Sequence, residues 1–375
     1  MTKKEKSIKK IAMLVALASV VQIAENLLPS PLPGVKLGLA NIITLVVLSD
    51  MGFKAAFEVA VLRTIISSLI LGTFLSPTFI LSLSGAVVST AVMGLLMNVF
   101  GFIGLSVIGS ASHVAVQVVL VYLLLIKNTA IFLLLPWLGV SAVIMGWFTG
   151  LIAMKVCEKL EKGEIVKIEG VKEQETSPLT SKTYIEGDST VHSFPVTAKI
   201  AIALIMIFAV LIFSNIYFYI GLFALLLILG SLSKLGYKKI FSGVKRLRVF
   251  LVFSFILPVL FGNSGQSVFE AGFLRITAEG LYNGVIFSSR LVLLMLATTL
   301  VMSTTSPEKL SGCLKKYIGK RLSEIMTLSM LYIPGFWEKS NNYIKGHKVD
   351  TKIAGKLFPM VVSLLVMLYM ETEEI

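Results

Sequence analysis

Apolar runs long enough to cross a bilayer recur along almost the whole chain, and no other feature restricts its fold as strongly. They fall at roughly 11–28, 35–49, 53–72, 77–99, 104–126 and 130–154, then at about 198–214, 216–232, 249–262 and 281–302. Most approach the ~20 residues that a helix needs to cross the hydrocarbon. In lipid every backbone polar group must be paired within the protein, so runs of this length imply helices. The sequence predicts an all-α, polytopic integral membrane protein of about ten transmembrane helices in two helical bodies. A last run, Leu357 to Met370, contains Pro359 and is short for a span, so it reads as an interfacial or buried helix; counting it would give eleven.

The charge pattern agrees with this class. Only 15% of the 375 residues are charged, against about 25% in an average soluble domain. The net charge of +13 would raise nucleic acid as a partner of a soluble chain. Here the basic residues cluster in short loops between apolar runs, which is the positive-inside bias of cytoplasmic loops, and nucleic-acid binding is not expected. Lys3, Lys4, Lys6, Lys9 and Lys10 before the first run imitate a signal peptide. No small-residue cleavage site follows, and the run continues to Glu25 and Asn26, so a retained first span with a cytoplasmic N-terminus is expected. The loop holding Lys234, Lys238, Lys239, Lys245, Arg246 and Arg248 has no acidic residue and is expected inside, which puts 263–280 outside. The expected location is the cell (cytoplasmic) membrane.

Composition divides the chain. Residues 1–156 hold six apolar runs; 157–197 are charged and polar, a cytoplasmic linker unable to bury a core of its own; 198–375 form a second membrane body. Beyond residue 303, Leu310, Cys313, Leu314 and Tyr317 recur at helical spacing among lysines, which predicts an amphipathic helix along the membrane or a partner. Cys157 and Cys313 stand far apart, as free thiols, and neither they nor the three histidines show metal-ligand spacing.

Two features could carry chemistry. Pro29-Ser-Pro-Leu-Pro-Gly-Val-Lys36 and the residues up to Asn41 form a shaped, non-helical loop between the first two runs, with Lys36 at a membrane boundary. Such a lysine either snorkels to headgroups or gates a ligand. The second feature is the set of polar groups within spans, which are costly there. Glu25, Glu58 and Arg63 are ionisable, and His113 with Gln117 share one helix face. Glu58 and Arg63, five residues apart, are poorly placed to pair, so Arg63 needs a partner on another helix or a ligand. Small-residue stripes accompany them at Ser82, Ser84, Gly85 and Ser89 and at Ser106, Gly109 and Ser110. No phosphate loop, paired-aspartate diphosphate site, HExxH or GxSxG is present, so the chain is not expected to be an enzyme.

Pro31-Leu-Pro-Gly-Val-Lys-Leu-Gly-Leu-Ala-Asn41, Arg63, Gly72, Ser82-Leu-Ser-Gly85, Ser106-Val-Ile-Gly109, His113 and Gln117 together resemble the Gx transporter family over residues 8–155. Members are often labelled heptaprenyl diphosphate synthase component I and are regarded as relatives of the substrate-binding subunits of energy-coupling factor transporters. That resemblance implies a small-molecule substrate with Glu25, Asn26, Lys36, Asn41, Arg63, His113 and Gln117 as candidate contacts; Lys36 and Arg63 would suit an anion. It also implies that Ala12-x-x-x-Ala16 faces a coupling subunit. The label offers an alternative, a non-catalytic membrane component associated with heptaprenyl diphosphate synthesis.

Ile276-Thr-Ala-Glu-Gly280, Arg290, Thr298-Thr299, Thr304-Thr-Ser-Pro-Glu-Lys-Leu310 and Ile333-Pro334 are similar to the cobalt-transport-type transmembrane coupling subunit of the same transporters. The similarity implies separate ATPase subunits as partners and ATP bound on them, with no cofactor in this chain. The first Ala-Arg-Gly docking motif of such subunits falls at Tyr343-Ile-Lys345-Gly346, with lysine for arginine, and the region is expected to be partial at its C-terminus.

Overall fold

Helices occupy nearly all of the residues that the computed structural model describes, namely 3–27, 38–162, 184–262, 265–271, 274–346 and 354–373. The first half consists of α1 (Lys3–Leu27), α2 (Leu39–Met51), α3 (Phe53–Leu71), α4 (Pro77–Leu96), α5 (Phe102–Leu120) and α6 (Leu135–Glu161). A π-helical turn, Val121–Ile126, prolongs α5, and a 3-10 turn, Thr129–Leu134, leads into α6. The second half has α7 (Thr190–Ser193), α8 (Val196–Ile212), α9 (Ile216–Leu232), α10 (Tyr237–Ile240), α11 (Ser242–Arg246) and α12 (Arg248–Phe261). Strands β1 (Ser267–Ala271) and β2 (Leu274–Thr277) follow, then α13 (Ala278–Thr304), α14 (Pro307–Lys315), α15 (Lys320–Gly346) and α16 (Ala354–Met370). The strands pair antiparallel, Ser267 opposite Thr277.

Among the described residues, five helical stretches are long and apolar enough to cross a membrane: Lys3–Asn26, Pro77–Leu96, Phe102–Ile126, Thr129–Glu161 and Ala278–Thr304. Five shorter apolar helices accompany them, Phe358–Met370 among these. The protein is a multi-pass, all-α membrane protein. α14 ends at Lys315, so Tyr317 falls in the following turn and is exposed, while Leu310 and Cys313 are buried. The amphipathic face expected there is therefore shorter than the sequence spacing suggests.

Polar side chains cap the apolar helices and so fix where they start. Ser76 accepts the Phe79 N–H ahead of Pro77, Asn215 accepts the Tyr217 N–H, and Thr277 accepts the Gly280 N–H. Gly72, with φ of 67°, ends α3 in the left-handed conformation that glycine adopts freely.

Small residues let the first six helices approach closely. A Cβ on Gly146 would lie 2.7 Å from the Val107 Cα, and one on Gly150 2.8 Å from the Ile103 Cα, so α6 runs almost against the backbone of α5. Ser106 and Thr149 share a hydrogen bond of 2.8 Å across the same seam.

The two halves are packed into one another. α1 lies along α15, α16 packs on α6, and Ala12 and Ala16 are fully buried in an apolar cluster that also holds Ile325, Met326 and Ile333. Polar ties span the same boundary. Arg321 Nη2 donates to Glu58 Oε2 at 3.1 Å, with Nε 3.1 Å from Oε1. Lys10 bridges Asp50 at 2.9 Å and Glu373 at 3.2 Å, and the Tyr369 hydroxyl donates to Asp50 at 2.7 Å.

The deepest tie is Arg290 on α13, which is fully buried. Its Nη1 donates to the carbonyls of Leu124 at 3.2 Å and Leu125 at 3.1 Å, Nε to the Tyr219 hydroxyl at 3.1 Å, and Nη2 to Ser214 Oγ at 2.8 Å. The π-helical turn shifts the hydrogen-bond ladder at the end of α5, and its end carbonyls need partners from outside. Arg290 supplies them from the other half.

Replacing Arg290 by Met should lower stability by about 2–3 kcal/mol, the range for charge-assisted hydrogen bonds, read as a shifted unfolding midpoint in detergent; Arg290→Lys, which lacks the fork, should recover only part. Gly150→Leu should drive α5 and α6 apart and reduce the yield of folded protein in size-exclusion chromatography, whereas Gly139→Ala, whose added Cβ meets nothing within 4 Å, should not.

Candidate functional site

A cavity of about 90 Å³ lies among the first six helices. α1 contributes Gln22 and Glu25, the start of α2 Ala40 and Asn41, and α3 Arg63 and Thr64. α4 adds Ser82 and Ala86, α5 Ser110, His113, Val114 and Gln117, and α6 Ser141, Ala142 and Met145. The lining thus mixes polar and charged groups with aliphatic ones.

Arg63 is the centre of the polar side. It is only 5% exposed, on a helix whose neighbouring residues are apolar or small. Nη1 donates to Gln22 Oε1 at 3.1 Å and Nη2 to Asn41 Oδ1 at 2.9 Å, while Nε, also buried, has no hydrogen-bond partner. Its counter-charge is Glu25, which acts on it through space without a direct ion pair. Glu25 is itself held, because Oε1 accepts the Gly38 N–H at 2.6 Å. Gly38 has φ of 74°, a conformation costly for residues with a Cβ, so this clasp between α1 and the start of α2 favours glycine.

The facing wall comes from α5. His113 Nε2 lies 3.0 Å from Gln117 Nε2, which also donates to the Leu81 carbonyl at 3.3 Å. The ring can lie there because residue 85 is glycine: a Cβ would stand 2.5 Å from it. Gly109 makes similar room for Met93 Sδ.

The fold therefore brings together five residues singled out in the sequence, Glu25, Asn41, Arg63, His113 and Gln117. Asn26 is not among them; it is exposed and its amide donates to the Gln22 carbonyl one turn back. Lys36 lies outside the described residues, as does the loop from Leu28 to Leu37. Gln22, Thr64, Ser141 and Met145 line the cavity without having been expected. Gln22 could have been found from its place one turn before Glu25. Ser141 and Met145 sit in an apolar run with no charged neighbour to mark a face.

Glu58 takes no part in the cavity and pairs with Arg321 instead. Of the expected coupling residues, Ala12 and Ala16 are buried beside α15, and Lys345 is exposed at the end of that helix, next to Gly346. Among the described residues no three His, Cys, Asp or Glu side chains gather as metal ligands.

Comparison with known proteins assigns each half separately. Residues 14–156 match the family described as heptaprenyl diphosphate synthase component I, and residues 187–343 match the family described as cobalt transport protein. The chain is similar to the energy-coupling factor transporter transmembrane protein EcfT of Bacillus subtilis, 26% identical over 173 residues, which is 43% of this chain and 64% of that protein. The corresponding proteins of Listeria innocua and Exiguobacterium sibiricum are each 29% identical over 174 residues, 44% of this chain and 66% of theirs. The chain thus spans just under two thirds of the length of these relatives, whose names are those of transporter components. One polypeptide therefore joins a region that matches the family described as heptaprenyl diphosphate synthase component I to a region that matches the family described as cobalt transport protein and is similar to energy-coupling factor transporter transmembrane proteins.

Proposed function

We propose that the chain is the membrane part of an energy-coupling-factor-type uptake system. Residues 1–156 bind a small solute, 157–197 link, and 198–375 couple to separate ATPase subunits that carry ATP. The N-terminus is cytoplasmic, and the protein works in the cell membrane. The observation that carries the reading is the cavity itself, which buried Arg63 lines together with Glu25, Asn41, His113 and Gln117 from three other helices. The similarity of the second half to EcfT supports the coupling role, and the packing of α15 along α1 offers a direct contact between coupling and binding halves.

A second reading, a non-catalytic membrane component of heptaprenyl diphosphate synthesis, draws on the description of the matching family. It requires the chain to co-purify with a synthase subunit and to change its product length. If prenyl transfer proceeds identically with and without the chain, that reading is set aside.

Proteoliposomes holding the chain and its ATPases should accumulate solute only when ATP is supplied. Arg63→Ala should reduce uptake at least tenfold with the protein still folded; unchanged uptake overturns the site. Asn41→Leu, which removes one of the two amide oxygens on Arg63, should weaken uptake less than Arg63→Ala does. Lys345→Glu should diminish co-purification of the ATPases.

A further inference from the structure

The charges of the cavity wall limit what can fill it. Arg63 lines the cavity with its terminal nitrogens held by two neutral amide oxygens, so its positive charge is not neutralised by its hydrogen-bond partners. A guanidinium of this kind suits a carboxylate. Glu25 uses Oε1 on the Gly38 N–H, and no hydrogen bond to its Oε2 exists among the described residues. That oxygen remains for a cationic donor.

Among the described lining residues Arg63 and Glu25 are the one positive and the one negative group, so against this pair an added monoanion would leave a net charge and a phosphate dianion a larger one. A solute that carries both signs leaves none.

Size and shape narrow the class further. The cavity of about 90 Å³ is smaller than the ~150 Å³ cavity that takes up benzene. No Phe, Tyr or Trp is among the described lining residues to stack a flat heterocycle, whereas Ala86, Val114, Ala142 and Met145 form an aliphatic patch.

We propose that the solute is a compact aliphatic zwitterion, a small α-amino acid, with its carboxylate toward the Arg63 guanidinium, its ammonium toward Glu25 and its short side chain among the aliphatic lining residues. This rests on the reading of the cavity as the solute site.

The test uses the full chain in lipid nanodiscs, with thermal unfolding and calorimetric titration as readouts. Glycine, L-alanine and L-serine are the zwitterionic probes, propionate the carboxylate without an amine, and ethylamine the amine without a carboxylate. The expected result is that at least one of the three amino acids raises the unfolding temperature in a concentration-dependent way and binds at least tenfold more tightly than propionate or ethylamine. Arg63→Gln should abolish this binding, and Glu25→Gln should bring the affinities for the amino acid and propionate to within about threefold of each other. Ala142→Leu, which fills the aliphatic side and leaves both charges in place, should weaken alanine more than glycine and guards against misfolding of the charge variants.

Equal binding of propionate and alanine to the unaltered chain overturns the zwitterion. So does an absence of amino-acid binding. The two proposals fail differently: if riboflavin, thiamine or citrate binds instead and Arg63→Gln removes that binding, the cavity remains the solute site and only the zwitterion is wrong. If any ligand found binds equally well to Arg63→Gln, Glu25→Gln and Ala142→Leu, the site itself is wrong and the zwitterion falls with it.

Discussion

A guanidinium inside a membrane-spanning bundle has no bulk water to turn to, so each of its donors must be met by protein or by something the protein holds. Arg290 and Arg63 obey this constraint in opposite ways. Arg290 places four hydrogen bonds on carbonyls and hydroxyls from α5's π-helical end, the α8–α9 connection and α9. Its demand for acceptors coincides with the supply of carbonyls that the altered turn leaves over. Arg63 has only two amide oxygens, and the residue lines a cavity. The same residue type is thus a staple in one half and the centre of a candidate site in the other.

The space around Arg63 exists because small residues stand where helices and rings press together. Gly85 admits the His113 ring, Gly109 admits Met93, and Gly146 with Gly150 draws α6 onto α5. Close approach of this kind is the main source of helix association where lipid is as apolar as the side chains. Packing and site geometry therefore depend on the same glycines, and the cavity walls are fixed by backbone contacts as much as by their own hydrogen bonds.

α3 links the cavity to the rest of the molecule. It presents Arg63 to the cavity and, about 7.5 Å lower along the same helix, Glu58 to Arg321 of α15. α1 does likewise, with Gln22 and Glu25 at the cavity, Ala12 and Ala16 buried beside α15, and Lys10 tied to Asp50 and Glu373. The two helices that hold the central charges consequently both pack against the second half. The hydrogen bond and ion pair of Glu58 with Arg321 also explain how α3 tolerates a buried carboxylate.

Hydropathy alone determined the class, the number of apolar helices and most of their ends, because a bilayer demands about 20 apolar residues per span and loops must carry the charges. The cost of polar groups in spans also marked Glu25, Arg63, His113 and Gln117 before any geometry was known. What the sequence could not hold was which helix faces which. The partner of Glu58 is 263 residues away, the carbonyls on Arg290 come from the other half, and Ser141 and Met145 line a cavity from a run without a polar face. Those pairings follow from glycine contacts and from the satisfaction of buried donors across helices, and only the tertiary structure sets both at once.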